Sequence, residues 1–165
     1  MILRLLLFEE CNRACEGCCN KQFDLDNLPV EKDFSTYEMI ILTGGEPMLR
    51  PKIVLEAIRK IRNQSKAKII LYTAYLNPYN SLTYQVLAEL DGVTLSLHEQ
   101  SDINNFQTLQ VVIKPAMKDW DFSKRLNVFK EVDLTNIDTS GWVVKKDVEW
   151  IENCPLPENE VFMRY

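Results

Sequence analysis

Cys11, Cys15 and Cys18 place three thiols within eight residues at the spacing C-x3-C-x2-C. Cys19 follows at once, so four of the five cysteines fall together and only Cys154 stands apart. Core packing would scatter such residues along the chain. Thiolates bunched this closely hold a soft metal centre, zinc or iron–sulfur. Zinc sites favour two separated C-x2-C pairs, which this chain lacks; a zinc on the three thiols needs Cys19, Cys154 or His98 as its fourth ligand. A [4Fe–4S] cube fits the spacing differently, with one thiolate on each of three irons and the fourth iron left open. Electron-carrying ferredoxins supply four cysteines. A three-cysteine loop is therefore what a cluster needs if it must bind a substrate or cofactor directly.

A second group is Thr43-Gly44-Gly45-Glu46-Pro47. Two glycines let a ligand approach the main chain, and Glu46 offers a carboxylate to an ammonium group. Standing alone the group reads as a turn. Its interest lies in following the cysteine loop by one strand.

The elements that must position these groups alternate between strand and helix. Residues 2–8 form a short, Leu-rich buried strand that runs into the cysteine loop. Residues 20–37 are mostly polar, and the first helix of the repeat is reduced or missing there. Residues 38–43 read as the second strand, stopped by Gly44-Gly45. Residues 51–64 give the clearest helix, with Pro51 in its first turn and Val54, Ile58 and Ile61 on one face. A third strand at 68–73, a helix at 81–90 and a fourth strand at 93–97 follow. Residues 109–113 read as a fifth strand closed by Lys114-Pro115. Phe122, Leu126 and Phe129 give a further helical face, capped by Asp121 or Ser123. A sixth strand falls at 132–137 or 142–144, and 147–153 reads as a short last helix before a tail made irregular by Pro155 and Pro157. The pattern is an α/β fold with a parallel sheet, in one domain over residues 1–165. Ligands of such sheets gather at the carboxyl ends of the strands, where the cysteine loop and Gly44-Gly45 both emerge.

On Cys11-x3-Cys15-x2-Cys18 after the first strand and Gly44-Gly45-Glu46-Pro47 after the second, the chain resembles the radical S-adenosylmethionine superfamily. The resemblance implies a parallel-stranded partial (β/α)6 TIM-like barrel, here with a reduced first helix. It implies that Cys11, Cys15 and Cys18 bind a [4Fe–4S] cluster. The amino and carboxylate groups of S-adenosylmethionine would chelate the open iron, with the amino group held by Gly44, Gly45, Glu46 and Pro47. Reductive cleavage then yields a 5′-deoxyadenosyl radical that abstracts hydrogen from a substrate, with electrons from a low-potential donor of flavodoxin or ferredoxin type. Thr73 and Ser96 are similar to cofactor-contacting positions of the family; ordinary strand packing is the plainer account of each.

His98, the only histidine, ends the fourth strand. A proton carrier or metal ligand is one role for it, and a satisfied structural residue is the commoner one. Cys19 reads as a bystander thiol, with substrate-side hydrogen donor or spare ligand as alternatives, and Cys154 as a core residue. Lys114 reads as a solvated lysine or as one facing the site.

The run Cys15-Glu16-Gly17-Cys18-Cys19-Asn20 also resembles the C-x-G-C-x-N loop of anaerobic ribonucleotide reductase activases, which act on a glycine of a partner protein. Only ten residues precede Cys11 and none is glycine, unlike those proteins, and the same absence weakens a likeness to 7-carboxy-7-deazaguanine synthase. Three functions stay open: a radical enzyme acting on a small molecule, a glycyl-radical activase acting on a partner protein, and a non-enzymatic iron–sulfur or zinc module. The net charge of −5 and scattered Lys and Arg argue against a long nucleic acid as partner. No run approaches the ~18 apolar residues of a membrane span, and Glu9-Glu10 is unlike a leader cleavage site. The expectation is a cytoplasmic protein with reduced thiols.

Overall fold

In a computed structural model of the protein, residues 1–116 and 121–165 are described. Among the described residues, seven strands form one parallel sheet: β1 (Ile2–Leu6), β2 (Met39–Thr43), β3 (Lys68–Thr73), β4 (Gly92–Leu97), β5 (Ser123–Phe129), β6 (Val143–Val148) and β7 (Glu160–Arg164). Their order is β6-β5-β4-β3-β2-β1-β7, leaving β6 and β7 as the two edges. Three helices connect them: α1 (Pro51–Arg62), α2 (Ser81–Ala88) and α3 (Asp102–Ala116).

From β1 to β6 the chain steps one strand at a time in one direction. Right-handed crossovers then place α1, α2 and α3 on the same face. The side chains agree. Leu3, Leu5, Ile40, Leu42, Ile69 and Leu71 are fully buried and form one cluster with Val54, Ile58 and Ile61 of α1. Each contributes about 2 kcal/mol by leaving water. The alternate residues Arg4, Ile70 and Tyr72 are only half-buried, on the face without helices. α1 begins with Pro51 and ends on Arg59, Lys60 and Arg62, cations that suit the negative end of the helix dipole. The side chain of Asn80 caps α2 by accepting from Leu82 N at 3.0 Å.

The first crossover carries no α-helix. Between β1 and β2 the chain makes a 3-10 turn at Cys19–Gln22 and one bridge, Val30 to Arg164 of β7, before burying Phe34 and Tyr37. The expected reduction of the first helix is thus present.

Four expectations for the second half need correction. Residues 109–113 belong to α3, not to a strand: Ile103, Phe106, Gln110 and Ile113 recur at helical spacing and are buried. The pair Val111-Val112 suggested a strand, yet these valines are exposed on the helix surface. Residues 122–129 form β5, not a helix. Leu126 and Val128 alternate inward, and Leu126 lies beside Leu95 of β4; Phe122, Leu126 and Phe129 only imitate a helical face. The segment 147–153 is no helix, and β6 occupies 143–148. Finally, 160–164 is not irregular tail but β7, parallel to β1 with Ile2 opposite Glu160 and Leu6 opposite Arg164. Pro155 and Pro157 precede that strand and leave its ladder intact.

Candidate metal centre

The cysteine loop lies across the carboxyl ends of several strands. Leu7 N donates to Thr43 O at 2.9 Å, carrying the chain out of β1 beside β2. Gly45 N then donates to Phe8 O and Glu46 N to Glu10 O, both at 2.8 Å. Glycine is required at 45: a Cβ there would lie 2.1 Å from Glu10 O and 2.2 Å from Glu9 O. The glycine pair therefore serves first to let the segment before Cys11 pass close by. Asn20 closes the loop from its far side, its side-chain amide donating to Gly44 O at 2.8 Å.

Arg13, between the first two cysteines, ties the loop to β3 and β4. It donates to Ala74 O at 3.3 Å and is ion-paired with Asp102, with Glu99 at 3.9 Å. Asp102 in turn caps the start of α3, its Oδ2 accepting from His98 N at 2.8 Å and Glu99 N at 3.1 Å. Through this pair the loop grips the turn that follows β4. His98 sits there half-buried, its Nδ1 3.8 Å from Cys15 Sγ. Burial, and then the Arg13 cation, hold the His98 imidazole below its ordinary pKa. Its ring meets Phe129 and Trp150 edge-on, at 4.5 and 5.1 Å between centroids. Trp150 also covers Gly17, whose Cβ, if it had one, would fall 2.3 Å from the indole.

Cys11, Cys15 and Cys18 are free thiols. Burial, then the neighbouring Cys18 and Cys11, raise the Cys15 thiol above its ordinary pKa, so the three sulfurs share one electrostatic neighbourhood. Cys11 Sγ accepts from Arg13 N at 3.4 Å, and Lys21 Nζ donates to Cys15 O at 2.6 Å. Among the described residues, no three His, Cys, Asp or Glu side chains gather as a single metal ion would require. A four-iron cube with one open iron takes one thiolate on each of its other three irons. The donor set, three free thiols on one half-exposed loop, fits such a cube.

Cys154 is buried as expected, 4 % exposed, but neither it nor Cys19 is a free thiol. They are joined in a disulfide that spans 135 positions of sequence, with Cα atoms 5.4 Å apart. Neither is then a free fourth ligand for a zinc.

Glu46 does not face the open side. It is 2 % exposed, and its carboxylate accepts from Met48 N at 3.0 Å, from Ala74 N at 2.8 Å and from the Thr73 hydroxyl. Thr73 is buried with it, its oxygen also accepting from Tyr75 N at 3.0 Å. These bonds lock the ends of β2 and β3 together. Pro47 is buried at the start of a 3-10 turn, and Ser96 is half-buried within β4 beside Asn127 of β5. Lys114 lies away from the loop on α3, paired with Asp138 at 2.8 Å.

Arg13, Asp102 and Trp150 escaped the sequence reading. Arg13 was visible as a lone cation between the cysteines; Asp102 was hidden because its helix read as a strand. Trp150 was hidden because 147–153 read as a short helix, whereas the segment has no regular structure after β6. Together the loop and the ends of β4, β5 and β6 border an open cleft of about 600 Å³ lined by Cys15, His98, Phe129, Lys130 and Trp150, among others.

Residues 3–112 match the model of a family described as a 4Fe-4S single cluster domain, a stretch that takes in β1, the cysteine loop, Gly44 to Pro47 and His98. No curated protein and no solved structure is similar to the chain. Among the described residues, no helix is long and apolar enough to cross a membrane.

Proposed function

The chain belongs to the 4Fe-4S single cluster domain family, and on that premise we propose that it is a radical S-adenosylmethionine enzyme whose cluster is held by Cys11, Cys15 and Cys18. One observation carries the reading. The three thiols left free are those of the motif, and their loop is bonded at both ends, through Gly45 N, Glu46 N and Asn20, to the Gly-Gly-Glu-Pro segment. Loop and segment form one built unit at the carboxyl edge of a parallel sheet, where ligands of α/β folds bind.

When bound, a cluster with an open iron supplies the electron that cleaves the sulfonium of S-adenosylmethionine to a 5′-deoxyadenosyl radical. The chain's own residues hold and orient. Gly44, Gly45 and Pro47 belong to the segment that would hold the methionyl amino group. Glu46 and Thr73 fix the ends of β2 and β3 behind it, and Ser96 lies on the next strand. His98, its pKa lowered by burial and then by Arg13, lines the substrate side. Electrons come from a low-potential flavodoxin- or ferredoxin-type donor.

Two further points belong to this reading. The first is a partial barrel. Gly17, after β1, packs on Trp150, after β6. From β1 to β6 each strand lies beside the one before it, all parallel, which is the strand order of such a barrel. The second is a small-molecule substrate. An open cleft of about 600 Å³ beside Cys15 and His98 has the volume of a small-molecule site.

The test is anaerobic reconstitution with iron and sulfide, followed by EPR of the reduced cluster. The expected result is about four irons per chain, lost on changing Cys11, Cys15 or Cys18 to Ala, and a signal that changes when S-adenosylmethionine is added. A loaded cluster whose signal ignores S-adenosylmethionine would leave an electron-carrier module.

A further inference from the structure

The segment 149–154 leaves β6 and doubles back over the cysteine loop, where Trp150 lies on Gly17 and between His98 and Phe129. It ends in two consecutive residues with positive φ, Asn153 at 59° and Cys154 at 35°. Side chains with a Cβ rarely hold that conformation unless something constrains them. The constraint is visible: Cys154, 4 % exposed, is bonded to Cys19, the residue after Cys18. Its sulfur also lies 3.2 Å from Ile151 O within the same segment. No regular helix or strand holds 149–154 in place; it is tied by the Glu149–Lys130 pair at 2.9 Å at its start, by the packing of Trp150 and by the disulfide at its end. The cavity beside Cys15 and His98 is walled on one side by this segment, through Glu149 and Trp150.

We propose that Cys19 and Cys154 are a dithiol–disulfide redox pair that latches the 149–154 segment over the cysteine loop, so that reduction opens the cavity mouth. Cys19 is the half-exposed partner and the sulfur a reductant reaches. A dithiol reductant attacks Cys19 Sγ, and Cys154 leaves as a thiolate and takes a proton. The reductant's second thiolate then displaces Cys19, which leaves with its own proton while the reductant becomes a cyclic disulfide. Two electrons and two protons pass to the protein. A low-molecular-weight disulfide reverses the step and is itself reduced to two thiols. With the bond open, the backbone at 153 and 154 loses its constraint, and Trp150 is held on Gly17 by packing alone. The latch does not depend on radical chemistry and concerns thiols outside the C-x3-C-x2-C motif.

The experiment is hydrogen exchange on the full chain, purified anaerobically and treated either with glutathione disulfide or with dithiothreitol. Iron content is measured in both arms, and alkylation with mass spectrometry reports the state of Cys19 and Cys154. The expected result is exchange on the order of tenfold faster on reduction at the Cys154 amide, which donates to Ile151 O, with β2 and β3 unchanged. Cys154→Ser should show the fast rate in both arms. The proposal is overturned if Cys19 and Cys154 stay alkylatable in excess glutathione disulfide. It is equally overturned if the bond opens with no change in exchange, or if dithiothreitol speeds exchange in Cys154→Ser as much as in the unaltered chain. None of these outcomes bears on whether the cluster binds S-adenosylmethionine.

Discussion

The side-chain amide of Asn20 donates to the carbonyl of Gly44 at 2.8 Å, across 24 positions of sequence. This bond fastens the end of the cysteine loop to the glycine pair after β2, so that the two motifs move as one body. Asn20→Ala leaves a partly buried carbonyl unpaired and should lower stability by about 1 kcal/mol. The midpoint of denaturant unfolding checks this. The same variant, once reconstituted, should lose iron to a chelator faster than the unaltered chain; equal rates would mean that the bond does not restrain the loop.

Glu46 predicts a test that separates structure from cofactor contact. Its carboxylate serves Met48 N, Ala74 N and Thr73 at once, and an amide cannot accept at both ends. Glu46→Gln should therefore cost about 1–3 kcal/mol in protein carrying neither cluster nor S-adenosylmethionine. If stability is unchanged and only cofactor binding falls, the carboxylate faces the ligand instead of bracing β2 and β3.

Arg13 and Asp102 form a mostly buried pair, with side chains 16 % and 11 % exposed. Arg13→Met removes the cation and leaves Asp102 capping α3 with an uncompensated charge, at a cost of about 3 kcal/mol. Arg13→Lys should recover only part of it, because an ammonium lacks the fork that reaches both Asp102 and Ala74 O. Thermal unfolding of the two variants decides between them; full rescue by Lys would reduce the pair to a simple charge contact.

Tyr37 sets an alkaline limit. Burial, then its hydrogen bond to Glu31, push its phenol from 10.0 up to about 12. The folded pKa lies above the unfolded one, so the stabilisation is complete below pH 10 and is lost as pH rises through about 12. Tyr37→Phe should flatten the fall in stability across that window. An unchanged alkaline limb would show that the phenol titrates normally.

Much of this was legible in the sequence wherever one periodic signal stood alone. β2, β3, α1 and the missing first helix followed from apolar runs, Pro51 and the polar stretch after Cys19. The second half misled because two patterns overlapped. Val111-Val112 carry strand propensity on the surface of α3, and Phe122, Leu126 and Phe129 carry helical spacing on a strand. Tertiary burial decided both, and propensity could not. At the site, the spacing of Cys11, Cys15 and Cys18 marked the loop. The Cys19–Cys154 bond and the buried turn of Glu46 depend on contacts 135 and 27–28 positions apart, which no local pattern records.

The most direct test of the central claim is product analysis. The chain is reconstituted without oxygen until its cluster is fully loaded, then reduced and given S-adenosylmethionine, and the mixture is assayed for 5′-deoxyadenosine. The unaltered chain should yield 5′-deoxyadenosine and the Cys11, Cys15 or Cys18→Ala variants none, with Cys154→Ala still active. A fully loaded, reducible cluster that yields no 5′-deoxyadenosine would contradict that claim.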